Sequence, residues 1–396
     1  MPADTYSVSY ITNTMRGAPV INGNTPGCLI AALDALLVTG WGLAAPTSIN
    51  VAAGVATVQF ASATPWAVGA VIEVAGAAPA ALDGKARVLT SSGNTLTFAT
   101  AAADGSYTAT GIKYAPAGWE KVFSGTNKAV YRSTNFLDSR HYLRVDDSHN
   151  QWARVRGFEV MSDVDTGTGP FPADAQMSGG GYWHKATSAN GTDIPYLLAA
   201  DAQMLLVAVA SAQGNNPTYM SAPVRGFGTP LALNPAGDVF ATVLTAAGSD
   251  TSNYANAQLA GGTTDSGAGA LSCCPRPWQG IGSSTLAYTQ AMTGIRNVLS
   301  GACNHLGAGP SGVDGQLKLS RVVVLDQVAN APARSLVPGV WYIPQTNVLA
   351  SLSAPFALVD GGAPVAGRKL ATVLQGSNVN SPPTGVALVD VTGPWR

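Results

Sequence analysis

Residues 47–61 read "TSINVAAGVATVQFA". Apolar and polar residues alternate along this stretch, and Gly54 sits where a turn would reverse the chain. A period of two, broken by a glycine, is the pattern of two short strands joined as a hairpin. The texture continues in "AVGAVIEVAG" (67–76), "GKARVLTSSGNTLTFAT" (84–100) and "YTATGIKY" (107–114). Residues 46–116 therefore read as a self-contained all-β module, immunoglobulin-like or a small barrel. Its candidate core is Val55, Val58, Val71, Ile72, Val74, Val88, Leu96 and Phe98. The borders are similar, "GWG" at 40–42 and "GWEKVF" at 118–123. Similar borders suggest an insertion whose ends lie close together in a larger domain.

Outward from the module, "PGCLIAALDALLV" (26–38) is the best helix. Thr25 is placed to cap it, and Pro26 suits the first turn. Leu29, Leu33, Leu36 and Leu37 share one face, opposite Asp34. Residues 1–45 thus form an N-terminal arm and helix belonging to the main domain. Beyond 117, segments such as "KAVYRS", "HYLRVDD", "WARVRGFEVM", "QMLLVAVAS" and "GQLKLSRVVVLD" are again strand-like. Residues 117–396 read as a β-rich main domain, β-sandwich or barrel-like, with a C-terminal subdomain from about residue 315. The Gly/Ser/Thr/Ala-rich interval 247–271 reads as an exposed loop. The expected fold class is mainly β with one N-terminal helix.

Composition narrows the function. The 396 residues are 46% hydrophobic but only 11% charged, with three Glu and seven Lys. A soluble chain ordinarily carries about 25% charged residues. So charge-poor a surface suits a protein covered by other subunits, and a homo-oligomer is expected. Glu, Lys and Gln are also the usual fillers of exposed helix faces, so their scarcity favours strands. The net charge is −1 and no basic run occurs, which argues against nucleic-acid binding. The most apolar run, "MLLVAVA" at 204–210, is far short of the ~20 residues that span a bilayer. No membrane partner is expected, and the start "MPADTYSVSY" lacks the features of a secretory signal.

Several stretches carry residues suggestive of chemistry, and their contexts decide the reading. "MSDVDTGTGPFP" (161–172) holds Asp163-x-Asp165 and the D-T-G triplet Asp165-Thr166-Gly167; Asp265-Ser266-Gly267 is a second such triplet. An aspartic protease needs each triplet after a buried apolar strand. Here one follows "SDV" and the other "GGTT". A phosphatase-type D-x-D loop should lead into a helix, which the Gly and Pro of "TGTGPFP" forbid. Asp163, Asp165 and Asp174 would supply only part of a calcium ligand set, so a cation in the 163–174 loop stays an open alternative to a polar turn. Asp146, Asp147 and His149 offer an acid–His pair, but Arg140, Arg144, Arg154 and Arg156 are nearby, and salt-bridged turn residues are the plainer reading. Cys273, Cys274, Cys303 and His305 match no common zinc spacing, and buried thiols are expected. No catalytic, cofactor-binding or metal residue is assigned, and no cofactor is expected.

Longer stretches carry a resemblance. "APVINGNTPGCLIAALDALLVTGWG", "GWEKVFSGTNKAVYRS", "HYLRVDD", "RVRGFEVMSDVDTGTGPFP", "GYWHKA…LAAD" and the closing "VTGPWR" resemble a group of tailed-bacteriophage virion proteins. The similarity runs over most of 15–45 and 118–240 and more thinly to the end. Residues 46–116 resemble a β module that recurs in phage virion proteins. The resemblance implies a non-enzymatic structural component, placed in the tail or baseplate and located in the virion. Its partners would be further copies of itself and other virion proteins. Two alternatives remain: a head decoration protein, and a receptor- or glycan-binding tail component, for which clustered exposed aromatics such as Trp66, or Trp183 beside Tyr182, would stack on sugar rings of a host-surface glycan.

Overall fold

A computed structural model of the protein describes residues 6–63, 65–210, 221–234, 236–248, 259, 270–291, 308–327, 332–375, 383 and 385–396. It is mainly β, with one short helix and large antiparallel sheets. The hairpin of the opening stretch forms as Pro46–Ala52 against Val55–Phe60. Its two turn residues, Ala53 and Gly54, have φ of 51° and 77°. Two successive left-handed residues match the twist of the flanking strands.

The pairing around this hairpin returns on itself. Val55–Phe60 pairs with Thr95–Ala99, which pairs with Gly84–Ser92. Gly84–Ser92 pairs with Val71–Ala75, and that strand with Gly111–Tyr114. Gly105–Tyr107 pairs back onto Pro46–Ala52, and Thr108 bridges Ala78. Residues 105–114 thus act as one bent strand that joins the two ends of the sheet into a small barrel. Closure removes the exposed edges that would otherwise recruit other chains. Trp41–Ala44 lies alongside Gly111–Tyr114 as an added strand.

Ile49, Val51, Val58, Ile72, Leu96 and Phe98 are buried within this module. Val55 is only half-buried. A period of two cannot place both Val55 and Val58 inward, and the buried phase is Ala56, Val58 and Phe60.

The helix runs Cys28–Asp34 and continues as a π-helical turn, Ala35–Thr39. Leu29, Leu33, Leu36 and Leu37 are fully buried, as the shared face predicts. Thr25 does not cap it with its side chain; Gly27 occupies the N-cap. At the other end, the carbonyls of Leu36 and Leu37 accept from the amides of Ala117, Gly118 and Trp119 at 2.8–3.0 Å. The strands leading into and out of the small barrel therefore start side by side. Gly40 stands at the entry with φ of 70°, where a Cβ would lie 2.3 Å from the Tyr114 carbonyl oxygen. Only glycine fits so close an approach.

The remaining strands form one large antiparallel sheet system. Its hub is the ten-residue strand Trp152–Met161. One side pairs with Tyr142–Asp146; the other pairs with Gly167–Phe171 and Gly181–His184 end to end. A second ring follows. Val224–Gly228 pairs with Val243–Ala247, and successive neighbours are Ala270–Cys274, Thr285–Ala291, Ser320–Asp326 and Ala333–Tyr342. Leu231–Ala232 then pairs with Ala333–Tyr342, which closes the circuit through another bent strand. At its rim Arg334 is buried between Asp326 (2.7 Å) and Asp238 (2.9 Å). A separate apolar cluster, including Ile343, Val348, Leu370 and Leu388, is drawn wholly from residues 317–388.

Because the small barrel closes on itself and its entry and exit strands start together, it should be removable. Replacing Trp41–Ala115 with a short Gly/Ser linker is expected to leave a chain that still melts cooperatively by circular dichroism. Loss of that transition would mean that the barrel and the main sheets share one indivisible core.

Candidate functional site

The acidic stretch forms a hairpin tip. Met161 pairs with Gly167 across it, and the Ser162 amide donates to the Thr166 carbonyl at 3.0 Å. Asp163 turns its carboxylate onto its own backbone and accepts from the amides of Asp165 (2.7 Å) and Thr166 (2.8 Å). Such a short-range bond is what favours Asp in turns. Asp165 pairs instead with Arg144 (2.5 Å) and Lys128 (2.9 Å). Hydrogen bonds from Arg144, then from Lys128, hold its carboxyl below the usual range. Asp174 lies in a separate network with Arg156 (3.0 Å) and the Gly179 amide. The three carboxylates do not converge, and no group of three or more metal-ligating side chains occurs among the described residues. Asp265, in the second triplet, lies outside the described residues.

The second acidic stretch is divided between two environments. Asp146 faces Arg144 at 3.2 Å and accepts from the Ser148 hydroxyl at 2.7 Å. His149 stacks on Trp152 and accepts from the Gln151 amide. Asp147 is fully buried. Its Oδ2 accepts from the amides of Leu29 (2.8 Å) and Ile30 (3.3 Å), and its Oδ1 lies 2.5 Å from the ammonium of Lys185, itself fully buried. Burial pushes the Asp147 carboxyl up, and Lys185, followed by the two amides, draws it back. This is a buried ion pair that caps the helix. The expected salt-bridged turn holds for Asp146, with Arg144, whereas the partner of Asp147 is a lysine 38 positions along the chain.

Cys28, Cys273 and Cys274 are buried free thiols. Burial pushes the Cys274 thiol up to about 12, so it is protonated at neutral pH and a poor ligand or nucleophile. Cys303 and His305 lie outside the described residues. The exposed aromatics that would favour a glycan-binding surface are not found at these positions: Trp183 is fully buried, with its indole N–H on the Thr245 carbonyl (2.8 Å), and Trp66 is only 4% exposed. Tyr182 is half-buried, its ring covered by the Arg154 guanidinium at 4.2 Å. Neither tryptophan offers an open ring face.

One cleft does collect polar and aromatic groups. It holds about 460 Å³ where the small barrel meets the strand Ser9–Thr12 and the segment 356–358. Tyr10, Arg16, Trp66, Tyr114 and Phe356 are among its lining residues. The Arg16 guanidinium lies 5.1 Å over the Trp66 ring and donates to the Gly42 carbonyl. Trp66 in turn packs on Tyr114 (4.9 Å) and Phe60 (5.7 Å). Nothing in the spacing of residues 10, 16, 66, 114 and 356 signals that they meet. No protein-family model matches the chain, and no curated protein is significantly similar to it.

Two outcomes follow from these contacts. Asp147→Ala strands a buried ammonium and is expected to cost about 3–5 kcal/mol. The double variant Asp147→Ala/Lys185→Met should recover much of that loss in urea melts; single and double variants that lose stability additively would show that the pair is not coupled. Asp165→Ala, at an exposed and solvent-screened pair, should cost at most ~1 kcal/mol. A depressed folded carboxyl stabilises above its unfolded value of about 3.9. The Asp165 contribution should thus be present at neutral pH and vanish as acid titrates the folded carboxylate. A difference between Asp165→Ala and the parent that grows below pH 4 would contradict this assignment.

Proposed function

We propose that this chain is a non-enzymatic structural subunit of a bacteriophage virion, set in the tail or baseplate, that assembles through apolar, charge-poor surfaces. The observation that carries the reading is an apolar knob. Phe136 and Leu137 are 83% and 78% exposed at the tip of a loop. The loop is held firmly beneath them. Asn135 accepts from the Leu137 amide at 3.0 Å, Ser139 bonds the Thr229 and Thr242 hydroxyls, and Arg140 pairs with Glu120 at 2.7 Å. A fixed loop that presents two large apolar side chains to water suits insertion into a neighbour.

Two further features support it. Val313 and Ile281 are 97% and 78% exposed on other loops, in a chain with few charges to solvate them. Among the described residues, the acidic motifs suggestive of chemistry, Asp163 to Asp165 and Asp146 to Asp147, are engaged in turns, ion pairs and a helix cap. Segments resembling phage virion proteins supply the particular assembly. In this reading the subunit works by geometry: closed barrels keep their shape while loop tips make the joints.

The purified chain is expected to sediment as a closed oligomer. Phe136→Asp/Leu137→Asp should dissociate it while shifting the thermal midpoint little, since exposed positions tolerate substitution within about 0.5 kcal/mol. A wild type that stays monomeric at high concentration would defeat the assembly reading. A cryo-EM map of the particle would locate the subunit.

A further inference from the structure

The pair of Asp147 and Lys185 leaves one buried oxygen unsettled. Both side chains are fully buried, and Nζ lies 2.5 Å from Oδ1. Yet Oδ1 accepts no aligned hydrogen bond. A carboxylate oxygen left unsatisfied in the interior is costly and calls for an explanation. The other oxygen is provided for: Oδ2 accepts from the amides of Leu29 (2.8 Å) and Ile30 (3.3 Å). Nζ also donates to the carbonyls of His149 (2.8 Å) and Thr25 (3.3 Å), which fix the nitrogen in place.

These contacts suit acyl transfer. The two amides on Oδ2 are donors aimed at the oxygen that turns negative when a nucleophile adds to Cγ. A lysine nitrogen held out of water is such a nucleophile once it gives up a proton. Burial disfavours charge on both partners, and it pushes the Asp147 carboxyl up. One proton passing from Nζ to Oδ1 therefore leaves a neutral acid and an amine side by side. Groups held in such contact reach effective molarities of about 10⁵ M or more.

We infer that Asp147 and Lys185 condense into an intramolecular isopeptide bond. The Nζ–Cγ bond forms and the Cγ–Oδ1 bond breaks. Of the three ammonium protons, two leave with Oδ1 as water and one stays on the amide nitrogen. Atoms and charges thus balance within the pair. The product also settles what the ion pair leaves open. The unsatisfied oxygen is gone, and two buried charges cancel. Oδ2 keeps its amide donors, and the remaining N–H has the His149 carbonyl beside it. The inference rests on this pair alone and stands apart from the virion reading.

The test is the intact mass of the full chain, denatured directly after purification and again after incubation in the folded state. The wild type is expected to be lighter than its sequence by one water. Its tryptic digest should contain a branched peptide that joins the segments of Asp147 and Lys185. Asp147→Asn keeps the shape and offers ammonia as leaving group, so it should reach the same final mass as the crosslinked wild type. Lys185→Met has no nucleophile and should keep its full mass. Circular dichroism verifies that the variants fold, and the wild-type digest decides if they do not. A folded wild type that retains its full mass after incubation would overturn the assignment. So would a water loss that persists in Lys185→Met, or a digest without the branched peptide.

Discussion

The buried pair of Asp147 and Lys185 joins parts of the chain that nothing local would bring together. An ion pair out of water is favourable only where its own attraction and added hydrogen bonds offset the cost of desolvating both ions. Lys185 directs its ammonium to Asp147 (2.5 Å) and to the carbonyls of His149 (2.8 Å) and Thr25 (3.3 Å). Asp147 accepts the first amides of the helix, while its own backbone bonds Asn127 and Gly27. Four segments therefore meet at one point: the helix start, the turn at Asn127, the end of the strand Tyr142–Asp146 and the strand ending at His184. The helix orientation sets where Leu36 and Leu37 present their carbonyls, and those carbonyls receive the chain as it leaves the small barrel. The placement of that barrel is thus connected, through one short helix, to a single buried charge pair.

Much of the fold was legible where a pattern is local. Alternation marked the hairpin at 47–61, the leucine spacing marked the helix face, and Gly and Pro after Asp165 ruled out a helix there. The context of Asp163 pointed to a turn, and the bonds it accepts from the amides two and three residues on, Asp165 and Thr166, form that turn. What was illegible depended on distance. Asp147 stands among arginines in sequence, and Asp146 does find one. Yet the fold carries Asp147 inward to a lysine and a helix, and no spacing rule announces such a partner. Thr25 had the right type and position for a cap, but a carboxylate from elsewhere satisfied the amides first. Val55 differs for another reason: its hydrophobicity suggests burial, whereas the pleat selects by phase.

The two closures show why composition alone could not give the architecture. In each ring one bent strand pairs with different neighbours at its two ends, 105–114 in the small barrel and 224–232 in the larger one. A bend is a property of a few backbone dihedrals and leaves the alternation of side chains intact on either side. The sequence therefore shows strands, and the bend decides whether they make an open sheet or a ring. Closure also gives the scarcity of charge a structural context. Exposed strand edges are ordinarily defended by lysines and prolines, and a chain with seven lysines in 396 residues has few to deploy. Rings remove much of the edge that would need defending.

Closure has a further consequence where the small barrel meets its neighbours. Its strands satisfy one another, so few backbone ladders remain to bind the barrel to the rest. Contact is made by side chains reaching across. Arg87 donates to the Thr392 carbonyl at 3.1 Å, and Arg16 reaches Gly42 while lying over Trp66. Two curved surfaces joined through long side chains cannot pack to crystalline density along their whole seam. The space left over is the cleft, bordered by the aromatic residues nearest the seam. The same closure that frees the barrel from edge pairing thus leaves a preformed cavity along its seam.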